Sequence, residues 1–323
     1  MTTVVAQAPS RLHFGLVNES GDFGRIDGGL GVSISEPCWK ITVKPGRQRI
    51  TGVAIAPEQR ATINEVLRKT SQSLGSGPFA VDVRSTIPCH AGLGSKTALV
   101  LTIASAVCSC LGKQTSPFEL ASLLRRGGTS GVGIAGFWKG GFVYDAGHMF
   151  PDTKRHFGPS SLSLAEPARP VFVTSLDWLK VVHFRYATMG LSGRDEARAF
   201  INHCPLSTSQ TLATMHYTFG YVIPAVWRHD NDMLQDGIRG LQKVGFKQIE
   251  WQCQSVTTRR FYKYWQSLAL PEAIGLSSFG PTMFILTDRA DYICKKILAF
   301  PVSAHHLTVT SVASLGAHLV RRA

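Results

Sequence analysis

A glycine-containing turn between a predicted strand and a predicted helix constrains the fold of this chain more than any other feature. The β-branched run Val81–Ile87 is typical of a strand, and the apolar run Ala98–Cys108 is typical of a buried helix. Gly92 and Gly94 lie in the short connection, where the backbone must turn sharply. This order predicts a strand, a tight turn and an apolar helix in succession.

The same turn has the chemistry of a phosphate site. Glycines let the backbone approach a ligand closely, and the first turn of a helix has unpaired amides at the positive end of its dipole. Lys96 adds an ammonium at that end, so a phosphate could be held there. The alternative is an ordinary turn in which Ser95 caps the helix. The candidate phosphate-binding residues are Gly92, Leu93, Gly94, Ser95, Lys96 and Thr97.

A second glycine-rich segment, Arg125–Gly133, follows a helix that begins at the capping box of Ser116 and Glu119. Arginines beside glycines and hydroxyls supply the bidentate donors and free amides that a phosphate needs. A helix C-terminus with basic residues is the alternative, but it does not explain so many glycines. The candidates here are Arg126, Gly128, Thr129, Ser130 and Gly131.

A third segment, Gly21–Gly31, has five glycines in eleven residues, together with Arg25 and Asp27. Asp-Gly is a strong turn signal, so a simple hairpin is one interpretation. A hairpin does not need this many glycines, and we therefore predict a loop that contacts a ligand.

Further polar candidates lie on predicted strands. Arg11 and His13 are two residues apart, so their side chains project from one face of a strand; a solvated face is an equally open interpretation. Asp145 and His148 follow another predicted strand and are candidates for acid–base chemistry or metal binding, although such residues at a turn are more often structural.

The composition favours a small anionic substrate. The 323 residues include 34 Lys and Arg against 21 Asp and Glu, a formal net charge of +13, which suits an anionic partner. These basic residues are dispersed, which favours a small substrate over a nucleic-acid surface. The N-terminus has no signal-peptide pattern, the apolar stretch Ala98–Leu111 is too short to span a bilayer, and the seven cysteines form no C-x-x-C pair. We therefore expect a cytoplasmic protein with reduced thiols and no membrane partner.

Strands and helices alternate without a regular βαβ repeat, which favours an α+β fold in two lobes. We place the division between Phe150 and Arg169, giving domains 1–160 and 161–323.

We predict a strand over Phe137–Val143, a long helix over Ser209–Trp227 kinked near Pro224, and a closing strand over His306–Val312.

The motifs together resemble one enzyme family. Gly92-Leu-Gly-Ser95 before an apolar helix is similar to the phosphate loop of the galactokinase, homoserine, mevalonate and phosphomevalonate (GHMP) kinase superfamily. The remaining motifs resemble β-ribofuranosylaminobenzene 5′-phosphate synthase and related C-riboside synthases of C-nucleoside pathways. They are Arg11-Leu-His-Phe14, Gly24–Gly31, Arg126–Gly133, Gly140–His148 and Ser277–Thr282.

The resemblance implies a two-lobed GHMP-kinase-like fold, with an N-terminal lobe like ribosomal protein S5 and a ferredoxin-like C-terminal lobe. It implies that phosphoribosyl pyrophosphate with Mg²⁺ is the donor and that an aromatic amino-carboxylic acid is the acceptor. The ring carbon that bears the carboxylate attacks ribose C1, pyrophosphate leaves, and loss of CO₂ restores the ring. The implied acceptor is 4-aminobenzoate of tetrahydromethanopterin synthesis, or a pyrazole-type acid of an antibiotic pathway.

The resemblance also suggests roles for individual residues. Lys96 and the Gly92–Thr97 amides would hold one phosphate group and the Arg126 loop the other. Asp27 or Asp145 would take Mg²⁺, ribose hydroxyls or the charge developing at C1, and the sequence does not choose among these; metal ligands stay unassigned. The candidate catalytic residues are Lys96, Asp27, Arg11, His13 and Asp145, and the candidate acceptor-binding residues are Arg11, His13, Phe14, Arg25, Ser277 and Ser278.

Two alternatives remain at this point. An ATP-dependent small-molecule kinase would use Lys96 near the ATP phosphates and Asp145 or Asp27 as base. A basic nucleic-acid-binding module would use the aromatic residues for stacking, but these residues lie in apolar periodic segments that predict a core. A homodimer is the most common oligomeric state and is our expectation.

Overall fold

Two β-sheets form the framework of the computed structural model, which describes residues 2–160 and 162–322. In chain order the strands are β1 (Thr3–Asn18), β2 (Arg25–Pro45), β3 (Arg49–Gly52), β4 (Phe79–Ser85), β5 (Phe142–Asp145), β6 (His148–Met149), β7 (Pro170–Thr174), β8 (Lys180–Arg185), β9 (Gly275–Leu276), β10 (Met283–Thr287), β11 (His305–Ser311) and β12 (His318–Arg322). The larger sheet has the order β12-β1-β2-β4-β3, with β5 and β6 also on β2 and β7 on β5. The smaller sheet has the order β11-β8-β10-β9.

Helices cover both sheets. They are α1 (Pro57–Leu74), α2 (Ser95–Cys110), α3 (Pro117–Leu123), α4 (Val132–Lys139), α5 (Arg194–His203), α6 (Thr208–Tyr217), α7 (Ile223–Arg228), α8 (Asn231–Leu241), α9 (Gly245–Gln252), α10 (Val256–Ser267) and α11 (Ala290–Leu298), with a π-helical turn over Thr218–Val222. The predicted α+β class is confirmed.

The strand-to-helix connection folds as its sequence predicts. β4 leads through the glycine turn into α2, which is buried on β1 and β2. Trp39 of β2 donates from its indole Nε1 to the carbonyl of Ser95 at 3.1 Å, so the start of the helix is fixed to the sheet. The capping box at Ser116 is also confirmed, since the hydroxyl accepts from the Phe118 amide and Glu119 accepts from the Ser116 amide.

The predicted ligand loop over Gly21–Gly31 is wrong in its second half. From Arg25 onward the segment is strand β2, paired with β1, β5 and β6. Its glycines give room for neighbouring chain segments: a Cβ on Gly31 would lie 2.2 Å from the carbonyl oxygen of Leu12, and one on Gly28 would lie 3.0 Å from that of Asp145.

One other prediction is wrong. Phe137 belongs to helix α4 and the strand begins only at Phe142, because a short apolar run is compatible with either structure. The long helix predicted over Ser209–Trp227 is confirmed: α6, the π-helical turn and α7 follow one another without a break, and the turn lies just before Pro224, which lacks an N–H. The strand predicted over His306–Val312 is β11, but β12 follows it. Helix α9 and strand β12 lie in segments for which we made no prediction.

The N-terminal and C-terminal halves of the chain share the larger sheet. Strand β12 pairs with β1, antiparallel, so the last described residues join the N-terminal sheet. The domain boundary near residue 160 stays a prediction. Within the described ranges, no helix has the length and apolar character needed to cross a membrane, and all seven cysteines are free thiols.

Candidate functional site

The glycine turn between β4 and α2 packs against the connection between β9 and β10 of the smaller sheet. Gly92 and Gly94 have φ of 81° and 71°, a region that favours glycine. A Cβ on Gly92 would lie 2.2 Å from the Ser277 carbonyl oxygen, and one on Gly94 would lie 2.9 Å from Arg11 Cγ. The Ser277 hydroxyl donates to the Gly92 carbonyl at 2.6 Å. The turn is therefore held against both β1 and the β9–β10 connection.

The start of α2 differs from the alternative in which Ser95 caps the helix. Gly94 is the N-cap and makes no side-chain cap hydrogen bond, while the Ser95 hydroxyl donates back to the Ile87 carbonyl at 2.7 Å. No side chain therefore caps the first-turn amides of α2, which leaves them for a ligand.

One cavity of about 510 Å³ brings both glycine loops together, a volume suited to a small-molecule ligand. The predicted residues that line it are Arg11, His13, Gly92, Leu93, Gly94, Ser95, Lys96, Thr97, Arg126, Thr129, Ser130 and Ser278. The predicted residues outside its wall are Phe14, Arg25, Asp27, Gly128, Gly131, Asp145 and Ser277.

Two half-buried arginines of the cavity wall carry positive charge. Arg11 donates from Nη1 to the Gly92 carbonyl, and burial lowers the pKa of its guanidinium to about 10. Arg126 donates from Nη2 to the Thr97 hydroxyl at 3.1 Å, which joins the two glycine loops directly. Burial also lowers the pKa of Arg126, and its Nε has no partner among the described residues. Such incompletely paired guanidinium groups suit a phosphate or carboxylate.

Lys96 is less restrained than the arginines. Its side chain is half exposed, and its Nζ lies 3.8 Å from Glu58 Oε1. The other oxygen of Glu58 lies 2.6 Å from His90 Nε2. Lys96 can therefore turn toward a ligand without breaking a buried contact.

Asp27 does not reach the cavity, which contradicts its predicted contact with a ligand. Its carboxylate is buried between Lys154 Nζ, 2.9 Å from both oxygens, and His148 Nδ1, 2.6 Å from one of them. Lys154 also donates to the Thr129 hydroxyl at 2.9 Å. Asp27 thus fixes the second glycine loop through Lys154, a residue that carried no motif in the sequence.

A polar chain leads from Asp145 to the cavity. Asp145 Oδ2 accepts from the Ser130 hydroxyl at 3.1 Å and from the Gly131 amide at 2.9 Å. Ser130 Oγ lies 3.2 Å from His13 Nε2. A Cβ on Gly29 would lie 2.5 Å from that Oγ and 2.9 Å from that Nε2, so the glycine leaves space for the chain.

Burial decides how Asp145 and His13, the two ends of this hydrogen-bonded series, ionise. Burial raises the pKa of Asp145 to about 7, although its hydrogen bonds act in the opposite direction. Burial and the nearby charges of Arg11 and Lys247 hold the pKa of His13 well below its ordinary value, so His13 is neutral at pH 7. Asp145 does not contact the cavity and acts on it through Ser130 and Gly131.

The other predicted residues outside the wall have structural contacts. Phe14 is buried with its ring stacked 4.8 Å from that of Phe284. Arg25 donates to the carbonyl of Ala146 at 2.8 Å, and Gly128 accepts from the Ser163 hydroxyl at 2.6 Å. These contacts contradict a direct ligand contact for Phe14 and Arg25.

Three acidic residues of the wall were missed by sequence reasoning, and one of them is Glu58 of α1. Glu196 lies in the first turn of α5 and Glu250 lies on α9, and both are close enough to Arg11 to raise its pKa. Glu250 forms a buried ion pair with Lys247, which donates to the Leu276 carbonyl at 2.9 Å. None of these carboxylates stands in a motif; an acidic residue near a helix start is too common a pattern to predict a site.

Comparison with known proteins identifies the family. The family model described as "GHMP kinases N terminal domain" matches residues 61–141. A β-ribofuranosylphenol 5′-phosphate synthase of Methanothermobacter thermautotrophicus is 32% identical over 329 residues, covering 98% of this chain and 99% of that protein. The protein of the same name from Methanocaldococcus jannaschii is 31% identical, covering 88% and 90%.

Solved structures agree on the fold. Homoserine kinase from Cytophaga hutchinsonii superposes with a TM-score of 0.66 at 16% identity, covering 98% of this chain and 97% of that one. Mevalonate diphosphate decarboxylase from Enterococcus faecalis superposes with a TM-score of 0.66 at 15% identity, covering 100% of both chains. With its fold and its near full-length relatives in agreement, this chain belongs to the β-ribofuranosylphenol 5′-phosphate synthase family, built on the GHMP-kinase fold.

Proposed function

We propose that this chain is a decarboxylating phosphoribosyl transferase that makes a C-riboside. It would join phosphoribosyl pyrophosphate to the ring of an aromatic carboxylic acid, with release of pyrophosphate and CO₂. The observation that carries the proposal is the shared cavity, where the two glycine loops and strand β1 bring Lys96, Arg126 and Arg11 around one space. The relatives' name supports the product class, because it describes a ribose 5-phosphate attached to a phenol.

The donor would lie across both loops. Departure of pyrophosphate leaves positive charge at ribose C1 and places negative charge on the leaving group, so fixed cations near that group stabilise the transition state. Lys96 and the first-turn amides of α2 would hold one phosphate group, and Arg126 with the Thr129–Ser130 loop would hold the other. The Arg126–Thr97 hydrogen bond holds the two phosphate-holding segments next to each other.

The acceptor carboxylate would lie beside Arg11 and His13. A carboxylate that is paired too strongly will not leave as CO₂, and a neutral His13 adds no second full charge beside Arg11. The ring would then present the carbon that bears this carboxylate to ribose C1.

Magnesium fits this site only as an ion shared with the donor. Residues 2–160 and 162–322 contain no group of three or more His, Cys, Asp or Glu side chains that could hold a metal ion. Mg²⁺ often binds through substrate phosphates and one or two carboxylates, and Glu58 beside Lys96 is the carboxylate we propose. When bound, the ion would offset charge on the leaving pyrophosphate.

The acceptor's identity, the pathway, the dimer and the cytoplasmic location stay predictions. The phenol in the relatives' name favours a hydroxyl-bearing acceptor over the 4-aminobenzoate that the sequence motifs implied. We keep both acids, and the pyrazole-type acids of C-nucleoside synthesis, as substrates to be tested.

The test is incubation of the purified protein with phosphoribosyl pyrophosphate, Mg²⁺ and each acid, with measurement of CO₂, pyrophosphate and product mass. We expect equal amounts of CO₂ and pyrophosphate with at least one acceptor. Thermal melting in parallel should show stabilisation by the donor, since a ligand bound only to the folded state raises its stability. Stabilisation by MgATP and not by the donor would favour a kinase and overturn the proposal.

A further inference from the structure

Glu196 is the one carboxylate of the cavity wall, within the described ranges, that has no fixed partner. The titratable groups of that wall are Arg11, His13, Glu58, Cys89, His90, Lys96, Arg126, Glu196 and Glu250. Glu250 is paired with Lys247, and Glu58 lies within 4 Å of both His90 and Lys96. Glu196 forms no ion pair within 4 Å with a residue of 2–160 or 162–322, whereas its neighbour Asp195 is paired with Arg198 at 3.3 Å.

The other possible proton acceptors are less suitable. His13 has Nε2 occupied by Ser130 at 3.2 Å, and its Nδ1 is buried without a partner among the described residues. Asp145 does not line the cavity and already accepts three hydrogen bonds. Burial raises the pKa of the Cys89 thiol, so that group stays protonated at neutral pH.

The surroundings of Glu196 suit a group that gains and loses a proton near neutrality. Burial raises its pKa to about 7. The charge of Glu250 on α9 acts in the same direction as burial, while Arg11 on β1 and Arg126 after α3 act in the opposite direction. On its own helix the neighbouring charges are Arg194, Asp195 and Arg198, which are exposed. A base is most effective when its pKa is near the working pH.

The proposed reaction calls for such a base if the acceptor bears a ring hydroxyl. The attacking carbon is part of an aromatic ring, and an ionised hydroxyl donates far more electron density to it than a neutral one. We infer that Glu196 is a catalytic base that takes the proton of the acceptor's ring hydroxyl. This inference rests on the proposed function, and it applies to the hydroxyl-bearing acids among the acceptors proposed above.

Glu196 first accepts the proton of the ring hydroxyl and at the end donates it back. The Glu196 carboxylate takes the hydroxyl proton, and the phenoxide electrons move into the ring as the carboxylate-bearing carbon bonds to ribose C1. The bond from C1 to pyrophosphate breaks, and its electron pair leaves with pyrophosphate. The bond to the carboxylate then breaks, CO₂ departs, and that electron pair restores the aromatic phenoxide. Glu196 returns its proton to the phenoxide, so no outside reagent is needed.

The test compares Glu196→Gln with Asp195→Asn, a neutralised acid on the same helical turn that lies outside the cavity wall. The two acceptors are 4-hydroxybenzoate and its 3,5-difluoro derivative, whose hydroxyl is mostly ionised at neutral pH. We expect Glu196→Gln to lower kcat on 4-hydroxybenzoate about 100-fold, and to abolish the rise of kcat between about pH 6 and 8. On the difluoro acceptor, the kcat of Glu196→Gln should lie within about tenfold of the kcat of the unmodified enzyme. Asp195→Asn should behave like the unmodified enzyme on both.

Each other outcome overturns the inference. Full activity of Glu196→Gln would do so, as would an equal loss on both acceptors or a weaker donor Kd with unchanged kcat, which would place Glu196 on the ribose hydroxyls. Glu196→Asp keeps a carboxylate and should keep the pH dependence, which covers the case in which the glutamine variant fails to fold. An unmodified enzyme that uses 4-aminobenzoate but no hydroxyl acceptor refutes this inference alone. Absence of pyrophosphate release with every acceptor refutes the proposed function itself.

Discussion

Lys96 combines an important position with weak structural restraint. Its half-exposed ammonium is 3.8 Å from Glu58, and exposed pairs of this kind contribute about 0–1 kcal/mol to stability. We therefore expect Lys96→Ala to leave the thermal melting temperature unchanged and to lower pyrophosphate release by about 100-fold or more. Lys69→Ala, which removes a lysine paired with Glu65 on α1, is the matched control. Undiminished turnover of Lys96→Ala would mean that the leaving group lies elsewhere.

Gly29 tests the polar chain at the same scale. Its backbone lies outside the left-handed region, so Gly29→Ala changes space and not backbone strain. The new methyl would lie 2.5 Å from Ser130 Oγ; we expect a loss of about 1–3 kcal/mol in the free energy of unfolding and a marked loss of activity. Gly77→Ala, at a site with nothing within 4 Å, should change neither. Equal urea midpoints and equal activity for the two variants would contradict the importance of this chain.

Asp145 makes stability depend on pH in a defined direction. Its pKa in the folded protein is raised from 3.8 to about 7, so the folded state binds the proton more tightly than the unfolded state. The stabilisation from Asp145 is complete below pH 3.8 and is lost as pH rises through about 7, by on the order of a few kcal/mol. Relative to Asp145→Asn, the unmodified protein should therefore be less stable at pH 8 than at pH 5 in urea unfolding. A free energy of unfolding that rises with pH in the unmodified protein, relative to Asp145→Asn, would contradict this sign.

At the scale of elements, α5 and α9 complete the site because they pack on each other. Phe246 of α9 is buried with its ring 4.5 Å from that of Phe200 on α5. This contact positions the helices that carry Glu196 and Glu250 at the cavity. Neither helix belongs to the glycine loops, so the acidic side of the site depends on packing between elements distant in sequence.

Phe246→Ala tests that packing. Removing a buried phenylalanine ring costs about 3–5 kcal/mol of unfolding free energy, and we expect kcat to fall as well because Glu196 and Glu250 lose their fixed positions. Phe23→Ala, which truncates a half-exposed ring, should leave both quantities nearly unchanged. A destabilised Phe246→Ala with normal kcat would show that the helices do not need this contact to position the cavity.

At the scale of the whole molecule, local patterns predicted the parts of the fold that depend on neighbouring residues. The strand–turn–helix unit around Gly92, the capping box at Ser116 and the two phosphate-loop candidates are encoded in short segments, because glycine conformations and helix caps need only nearby groups. The family motifs extended this to the α+β fold and to the lysine and both arginines of the cavity wall.

The tertiary structure decided what each candidate contacts. Asp27 and Asp145 look equivalent in sequence, yet Lys154 and His148 enclose the first, while the second reaches the cavity through Ser130. Glu196 and Glu250 have no local signal, and they become part of the site because α5 and α9 fold against Arg11. The sequence by itself therefore determined the two glycine loops and the fold class. Long-range packing alone decided which carboxylates are buried in ion pairs and which face the cavity, because burial and charge partners come from segments far apart in the chain.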